Sequence, residues 1–201
     1  GLTFRPNANF NGSEQLALNA NDQGNTGAGG SLSRMGMVPI LIIPVNDGPL
    51  SSVPGVQVVD EETSLNIAGI SVSDPDAAAN NVELTLSAAN GILTLDTTVT
   101  NGLTSGQIAN NGAASVVATA PLSAINATLT STAGLRYQSN LNFNGTDTIT
   151  VEIDDFGQSG AGGALKNTKT ISVSVNPIND TPVNTVPAAL ATNENVNLVV
   201  I

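Results

Sequence analysis

The chain contains no cysteine, no histidine and no tryptophan, and a single tyrosine, among its 201 residues. Without cysteine there is no disulfide and no thiolate metal site. With histidine also missing, Ser-His and Cys-His nucleophilic catalysis and imidazole metal sites are excluded. Aromatic residues make up 2% of the sequence. A carboxylate-pair glycosidase remains formally open, but it needs a cleft with sugar-facing aromatics. The same scarcity weakens a glycan-binding reading. Bases are scarce too: five Lys and Arg face 16 Asp and Glu, for a net charge of −11. Phosphate neutralisation needs cations, so nucleic acid is not expected as a partner, nor is an anionic lipid surface. Long apolar runs are also lacking. The longest, Val38 to Val45, is interrupted by two prolines, and nothing approaches the roughly 18 apolar residues of a membrane span. This segment is therefore not expected to insert into a membrane. A sustained 3.6-residue apolar stripe is absent as well.

What is present suits short strands joined by turns. Val, Ile and Leu supply the apolar residues, and Thr, Ser, Asn and Gly surround them. The residues predict an all-β protein. Two copies of one short stretch punctuate it, Pro44-Val45-Asn46-Asp47-Gly48-Pro49 and Pro177-Ile178-Asn179-Asp180-Thr181-Pro182. Each follows a strand-like run and precedes another. The prolines fix φ and remove N–H donors, so helix and central-strand pairing both stop there.

An internal repeat organises the rest. Gly1-Leu2-Thr3-Phe4 stands 133 residues before Gly134-Leu135-Arg136-Tyr137. The same offset relates Asn9-Phe10-Asn11-Gly12 to Asn142-Phe143-Asn144-Gly145, and Gly27-Ala28-Gly29-Gly30 to Gly160-Ala161-Gly162-Gly163. It also relates Glu61 to Glu194. Without a gap, residues 1–68 align to 134–201 with 22 identities. The expected division is residues 1–46 as the later part of one β-sandwich repeat, 47–180 as a complete repeat, and 181–201 as the opening of a third. A window cut from a long tandem array is the expected context.

Within 47–180 the alternation predicts a first edge strand over Val53 to Val59, then strands over 64–68, 70–73 and 82–87. Asn90-Gly91 reads as a hairpin-type turn into 92–95. Further strands are expected over 114–118, 135–137, 146–153 and 169–175, with a short helix over 121–129 that opens on Pro121. Many short strands with regular turns suggest a Greek-key immunoglobulin-like β-sandwich in a tandem array. The two glycine-rich stretches read as flexible hairpin tips, since no Lys-Ser/Thr follows as a phosphate loop requires. Asn-x-Ser/Thr sequons occur at Asn11, Asn126, Asn144 and Asn179.

Four acidic groups stand out: Asp60-Glu61-Glu62, Asp74-Pro75-Asp76 followed by Asn81, Asp154-Asp155, and the Asn-Asp pairs of the two joints. Each alone has a structural explanation as a turn starter or strand terminator. No base adjoins any of them, and clustered carboxylates repel. A calcium ion reverses that repulsion, because it takes six to eight or so oxygen ligands. In a sandwich the joint, the Asp74 loop and the Asp155 loop can gather at one end, with Glu61 at the other.

The order of these motifs resembles a cadherin repeat, and more closely the cadherin-like tandem repeats of very large bacterial surface adhesins. The resemblance rests on Val59 to Glu62, Val72 to Asp76, Asn142 to Asp147, Val151 to Asp155 and Val175 to Pro182. It implies calcium at the joints. At the first joint the implied ligands are Asn46, Asp47, Asp74, Asp76, Asn81 and Asp155; at the second they are Glu61, Asn179 and Asp180. Pro44 and Pro177 stand where the cadherin linker has Asp, and Gly48 and Thr181 where it has Asn, which implies fewer ions per joint. The family's mid-module Asp-Arg-Glu has only Asp147 and Glu14 near its place. The implied function is a non-enzymatic spacer of a long secreted or cell-surface protein, whose partners are the adjacent repeats of its own chain. The alternatives are a segment of a self-assembling filament, sheath or surface layer, with lateral or head-to-tail contacts, and a glycan-binding module.

Overall fold

The computed structural model describes residues 1–25, 27–186 and 189–198. Thirteen strands run β1 Gly12–Asn21, β2 Ser33–Ile42, β3 Leu50–Ser52, β4 Gln57–Asp60, β5 Ser64–Ile67, β6 Ser71–Ser73 and β7 Asn81–Ala88, then β8 Gly91–Leu95, β9 Ile108–Ala109, β10 Ser115–Pro121, β11 Leu135–Ser139, β12 Gly145–Asp154 and β13 Lys166–Asn176. Among the described residues one α-helix, α1 Leu122–Thr130, lies between β10 and β11, and a 3-10 turn spans Ser105–Gln107.

Alternation explains the layers. Along β7, Val82, Leu84 and Leu86 are buried while the residues between them are half-buried. Along β12, Ile149, Val151 and Ile153 alternate in the same way. A period of two puts each set on one face of its strand. Those faces belong to a six-stranded sheet of order β4-β13-β12-β7-β10-β9. Ile67, Leu93, Leu95, Leu135 and Tyr137 face it from a three-stranded sheet of order β5-β11-β8, and all join one apolar core. Each such Leu or Ile contributes about 1.5–3 kcal/mol when fully buried. The module is therefore an all-β sandwich, as its alternation predicted. α1 starts after Pro121 and closes the core with Ile125 and Leu129.

Two local expectations change. The first edge strand is not continuous over 53–59. β3 pairs antiparallel with β6 and β4 runs parallel to β13, with a break at Val53-Pro54-Gly55-Val56 between them. Pro54 lacks a ladder donor, so one strand becomes two pieces with different partners. Nor is Asn90-Gly91 a hairpin. β7 pairs with β10 and β12, while β8 pairs with β11 in the other sheet. A type I′ turn needs positive φ at both central residues, and neither residue has it. The pair instead carries the chain across the sandwich. A Cβ on Gly91 would lie 2.4 Å from Tyr137 Cε2 and 2.7 Å from the Gln138 carbonyl oxygen, so glycine is there for close approach.

The internal repeat has a structural counterpart. β1 and β2 pair from Gly12 opposite Ile42 to Asn21 opposite Ser33, and β12 and β13 pair from Gly145 opposite Val175 to Asp154 opposite Lys166. Every one of these positions is displaced by the same 133 residues. Positive φ recurs with that spacing at Gln23 and Phe156 (57° and 59°), at Gly29 and Gly162 (135° and 136°), and at Glu62 and Asn195 (64° and 63°). Among the described residues of 181–198 no strand forms. The last residues expected for a third repeat, 199–201, lie outside the described ones.

Candidate functional site

The chain leaves β2 through Ile43-Pro44-Val45-Asn46-Asp47 and meets the loop between β12 and β13. The Ala161 N–H donates to the Pro44 carbonyl at 3.1 Å, and the Asn46 N–H donates to the Ala161 carbonyl at 2.9 Å. Val45 and Ala161 thus form a parallel bridge. The glycine-rich loop permits this approach. Gly160, at φ +85°, lies so close that a Cβ there would stand 2.6 Å from Val45 C and 2.7 Å from Asn46 N.

Asn46 is 6% exposed. Its Nδ2 donates to Asp155 Oδ2 at 2.7 Å and to the Gly163 carbonyl at 2.9 Å. Asp155 is also buried, and its Oδ1 accepts the N–H groups of Gly157 and Leu165, both at 2.8 Å. The stretch expected to be a flexible hairpin tip is the tip of the β12–β13 hairpin, and it is fixed by backbone and side-chain bonds to the incoming chain.

The Asp74-Pro75-Asp76 loop forms the other wall. Asp74 Oδ1 accepts from the N–H groups of Asp76 at 2.8 Å and Ala77 at 3.1 Å, a turn typical of Asp. Asp76 Oδ2 accepts the Asp47 N–H at 2.5 Å. Ser159 Oγ donates to the Asp76 carbonyl at 3.1 Å and Gln158 Nε2 to the Asn81 carbonyl at 3.0 Å, which tie the two loops together. A small concavity between them is lined by Asn46, Asp74, Asp76, Asn80, Asp155 and Ser159, among others. Asn81 is exposed at the first position of β7; its neighbour Asn80 takes the lining position. Among the described residues Asp74 Oδ2 is buried without a hydrogen-bond partner.

At the far end Glu61 is buried, and its Oε1 accepts the Ile178 N–H at 2.6 Å. The Glu61 N–H donates to the Asn176 carbonyl at 2.9 Å. Asn144 Nδ2 donates to Glu61 Oε2 at 3.5 Å. Asn179 and Asp180, one and two residues further, are exposed. Glu61 thus holds the outgoing linker of its own module, as Asp155 and Gly163 hold the incoming one.

The donor set of the first joint is all oxygen, the chemistry of a hard divalent cation, and it includes one buried carboxylate oxygen with no partner. The arrangement fits such an ion less well than the chemistry does. Asp155 and Asp76 turn oxygens toward N–H donors, and among the described residues no three acidic side chains lie close enough together to hold a metal.

No family model matches this sequence, and no curated protein does. Among solved structures the chain is similar to protocadherin gamma B2 extracellular cadherin domains 1-5. The identity is 18% and the TM-score 0.40 over 84% of this chain. The match covers 27% of that protein's chain, so this chain spans about a quarter of its length.

Gly160, Ala161 and Gly163 were legible only as an identically repeated Gly-Ala-Gly-Gly, without their role against the incoming chain. Asp147 stood out in the sequence, but its pairing with Tyr137 did not. Asp147 falls on the same alternating face as Ile149, Val151 and Ile153. That position on an inward face was the available signal.

Proposed function

We propose that this chain is a non-enzymatic spacer from a tandem array of cadherin-like β-sandwiches in a secreted or cell-surface protein, with residues 1–46 closing one repeat, 47–180 forming the next and 181–201 opening a third. The observation that carries this reading is the shared register and φ pattern of β1–β2 and β12–β13. In β12–β13 the inward residues are covered by the rest of the sandwich. In β1–β2 the equivalent residues are open: Leu18 is 48% exposed where Val151 is 0%. The earlier part of the same repeat is the natural cover for that face. The test is hydrogen exchange on the natural sequence extended upstream by one repeat period. The β1–β2 amides should then slow to the rates of their β12–β13 equivalents. Unchanged exchange overturns the reading.

Calcium at the joint is a second reading, favoured by the unpartnered Asp74 Oδ2. On that reading Asn46, Asp47, Asp74, Asp76, Asn81 and Asp155 would hold the ion at the first joint, and Asp76 and Asp155 would have to turn from their N–H donors to do so, since no three acidic side chains of the described residues converge as they stand. Glu61, Asn179 and Asp180 would serve the second. The ion would neutralise carboxylates that no base adjoins. A melting temperature that responds to chelator is its mark.

A further inference from the structure

We propose that the Asp155-to-Leu165 loop is a socket that reads the linker asparagine of the preceding repeat by hydrogen bonds alone, without a metal, and that it selects Asn against Asp. The inference rests on the tandem reading and deepens it by naming what joins one repeat to the next, and it stands against the calcium reading, which needs the same Asn46 and Asp155.

Three observations carry it. First, both amide hydrogens of Asn46 are used, one on the Asp155 carboxylate and one on the Gly163 carbonyl. An aspartate there has no hydrogen to offer and would turn a second negative charge on Asp155. A bond from a neutral amide to a carboxylate is among the stronger ones, and its buried acceptor is costly to leave unmet.

Second, the socket is preformed. Its frame recurs 133 residues earlier in β1–β2. There Asp22 Oδ1 accepts the N–H groups of Gly24 at 2.9 Å and Leu32 at 2.8 Å, as Asp155 does from Gly157 and Leu165. The glycine angles agree, with φ of 73° at both Gly30 and Gly163. At Gly27, the equivalent of Gly160, an added Cβ meets nothing within 4 Å. Among the described residues, then, the same frame stands with a linker against it at one copy and without one at the other. A site that keeps its shape without its partner loses little ordering entropy on binding.

Third, the plug recurs as well. Pro177-Ile178-Asn179-Asp180 repeats Pro44-Val45-Asn46-Asp47 at three of four positions, and Asn179 is exposed. It is the matching plug for the socket of a following repeat. Glu61, bonded to the Ile178 N–H, presents that plug from the module that carries it.

The test is amide hydrogen exchange by NMR on the full chain. In the native sequence the Asn46 and Ala161 amides should be protected equally, within about twofold, in saturating calcium and in chelator. Asn46→Asp should lose roughly ten- to a hundredfold of that protection in both conditions. Gly160→Ala should lose it too, because its Cβ cannot fit beside Val45. The Val151 amide in the centre of β12 should not change, which shows that the module stays folded. Protection that collapses in chelator overturns the proposal. So does an Asn46→Asp chain whose protection survives when calcium is added, since a carboxylate would then be serving as a ligand. Either result leaves the tandem reading standing, because that reading is tested on the β1–β2 amides of the extended chain.

Discussion

Asp147 is 1% exposed at the end of the core, and four hydrogen bonds meet it there. Tyr137 Oη donates to its Oδ2 at 2.8 Å and the Asn90 N–H at 3.1 Å. The Thr148 N–H donates to Oδ1 at 2.8 Å, and Asn90 Nδ2 lies at 3.5 Å. A buried carboxylate is tolerated only when paired this fully. Burial first, and then the hydrogen bond and charge of Asp147, push the Tyr137 phenol above its ordinary value of 10.0. The neutral phenol is thus the form the fold favours. The stability it supplies is complete below pH 10 and is lost as pH rises through the higher folded value. A spectrophotometric titration should show Tyr137 ionising only as the chain unfolds; a normal phenol titration in the native state would contradict this. Tyr137→Phe should cost about 1–3 kcal/mol, because one donor to a buried carboxylate is lost. The single tyrosine and the Asp were both plain in the sequence. Their pairing was not, because β11 and β12 lie in different sheets and meet only across the core.

At the scale of elements, the chain uses asparagine side chains where a strand partner is missing. Asn126 on α1 accepts from the Val72 N–H at 2.8 Å and donates to the Val72 carbonyl at 2.7 Å. It thereby bonds the helix to β6, a three-residue strand that among the described residues pairs with β3 alone. Asn111 does the same for Leu95, at 2.7 and 2.9 Å. Asn126→Ala should destabilise by about 1–3 kcal/mol, with the loss centred on β3 and β6 in hydrogen exchange. Asn11→Ala, at an exposed position with the same sequon, should change the melting temperature little. Equal effects of the two would refute the role given to Asn126. Both polar atoms of its amide are already bonded, which explains the asparagine without a glycan. The helix itself was legible from Pro121 and the spacing of Leu122, Ile125 and Leu129. The crossing at Asn90-Gly91 was not, since a hairpin and a change of sheet present the same two residues and differ only in what the next strand pairs with.

At the scale of the whole molecule, sixteen acids against five bases give a surface that repels itself, which favours extended solubility over compact association. The two ion pairs, Lys166 with Glu152 at 2.8 Å and with Asp154 at 3.3 Å, involve an exposed lysine and add little. On the tandem reading proposed above, rigidity along the array would have to come from the joints. If calcium acts there, saturation at about 100 times its Kd adds roughly 2.7 kcal/mol. For a chain of this size that raises the melting temperature by about 5–10 °C. An unchanged melting temperature between calcium and chelator would remove calcium from the joint and leave the hydrogen-bonded socket as its sole support.

The sequence by itself determined the quantities that are local or periodic along the chain. Alternation with period two set the strands and their inward faces, proline and Asn-Asp set the joints, and a constant offset of 133 residues set the repeat. These are one-dimensional properties, and they survive without knowledge of what lies opposite. Only the tertiary structure decided the pairings. Asn46 meets Asp155 across 109 residues of chain, and Asp47 meets Asp76. The glycine-rich loop became a joint surface because a neighbouring backbone passes where a Cβ would stand. Such contacts are made between elements, and short polar motifs carry no mark of which distant partner they will satisfy. For the same reason the acidic groups could be counted from the sequence, while whether their oxygens face an ion or an N–H group depended on the fold.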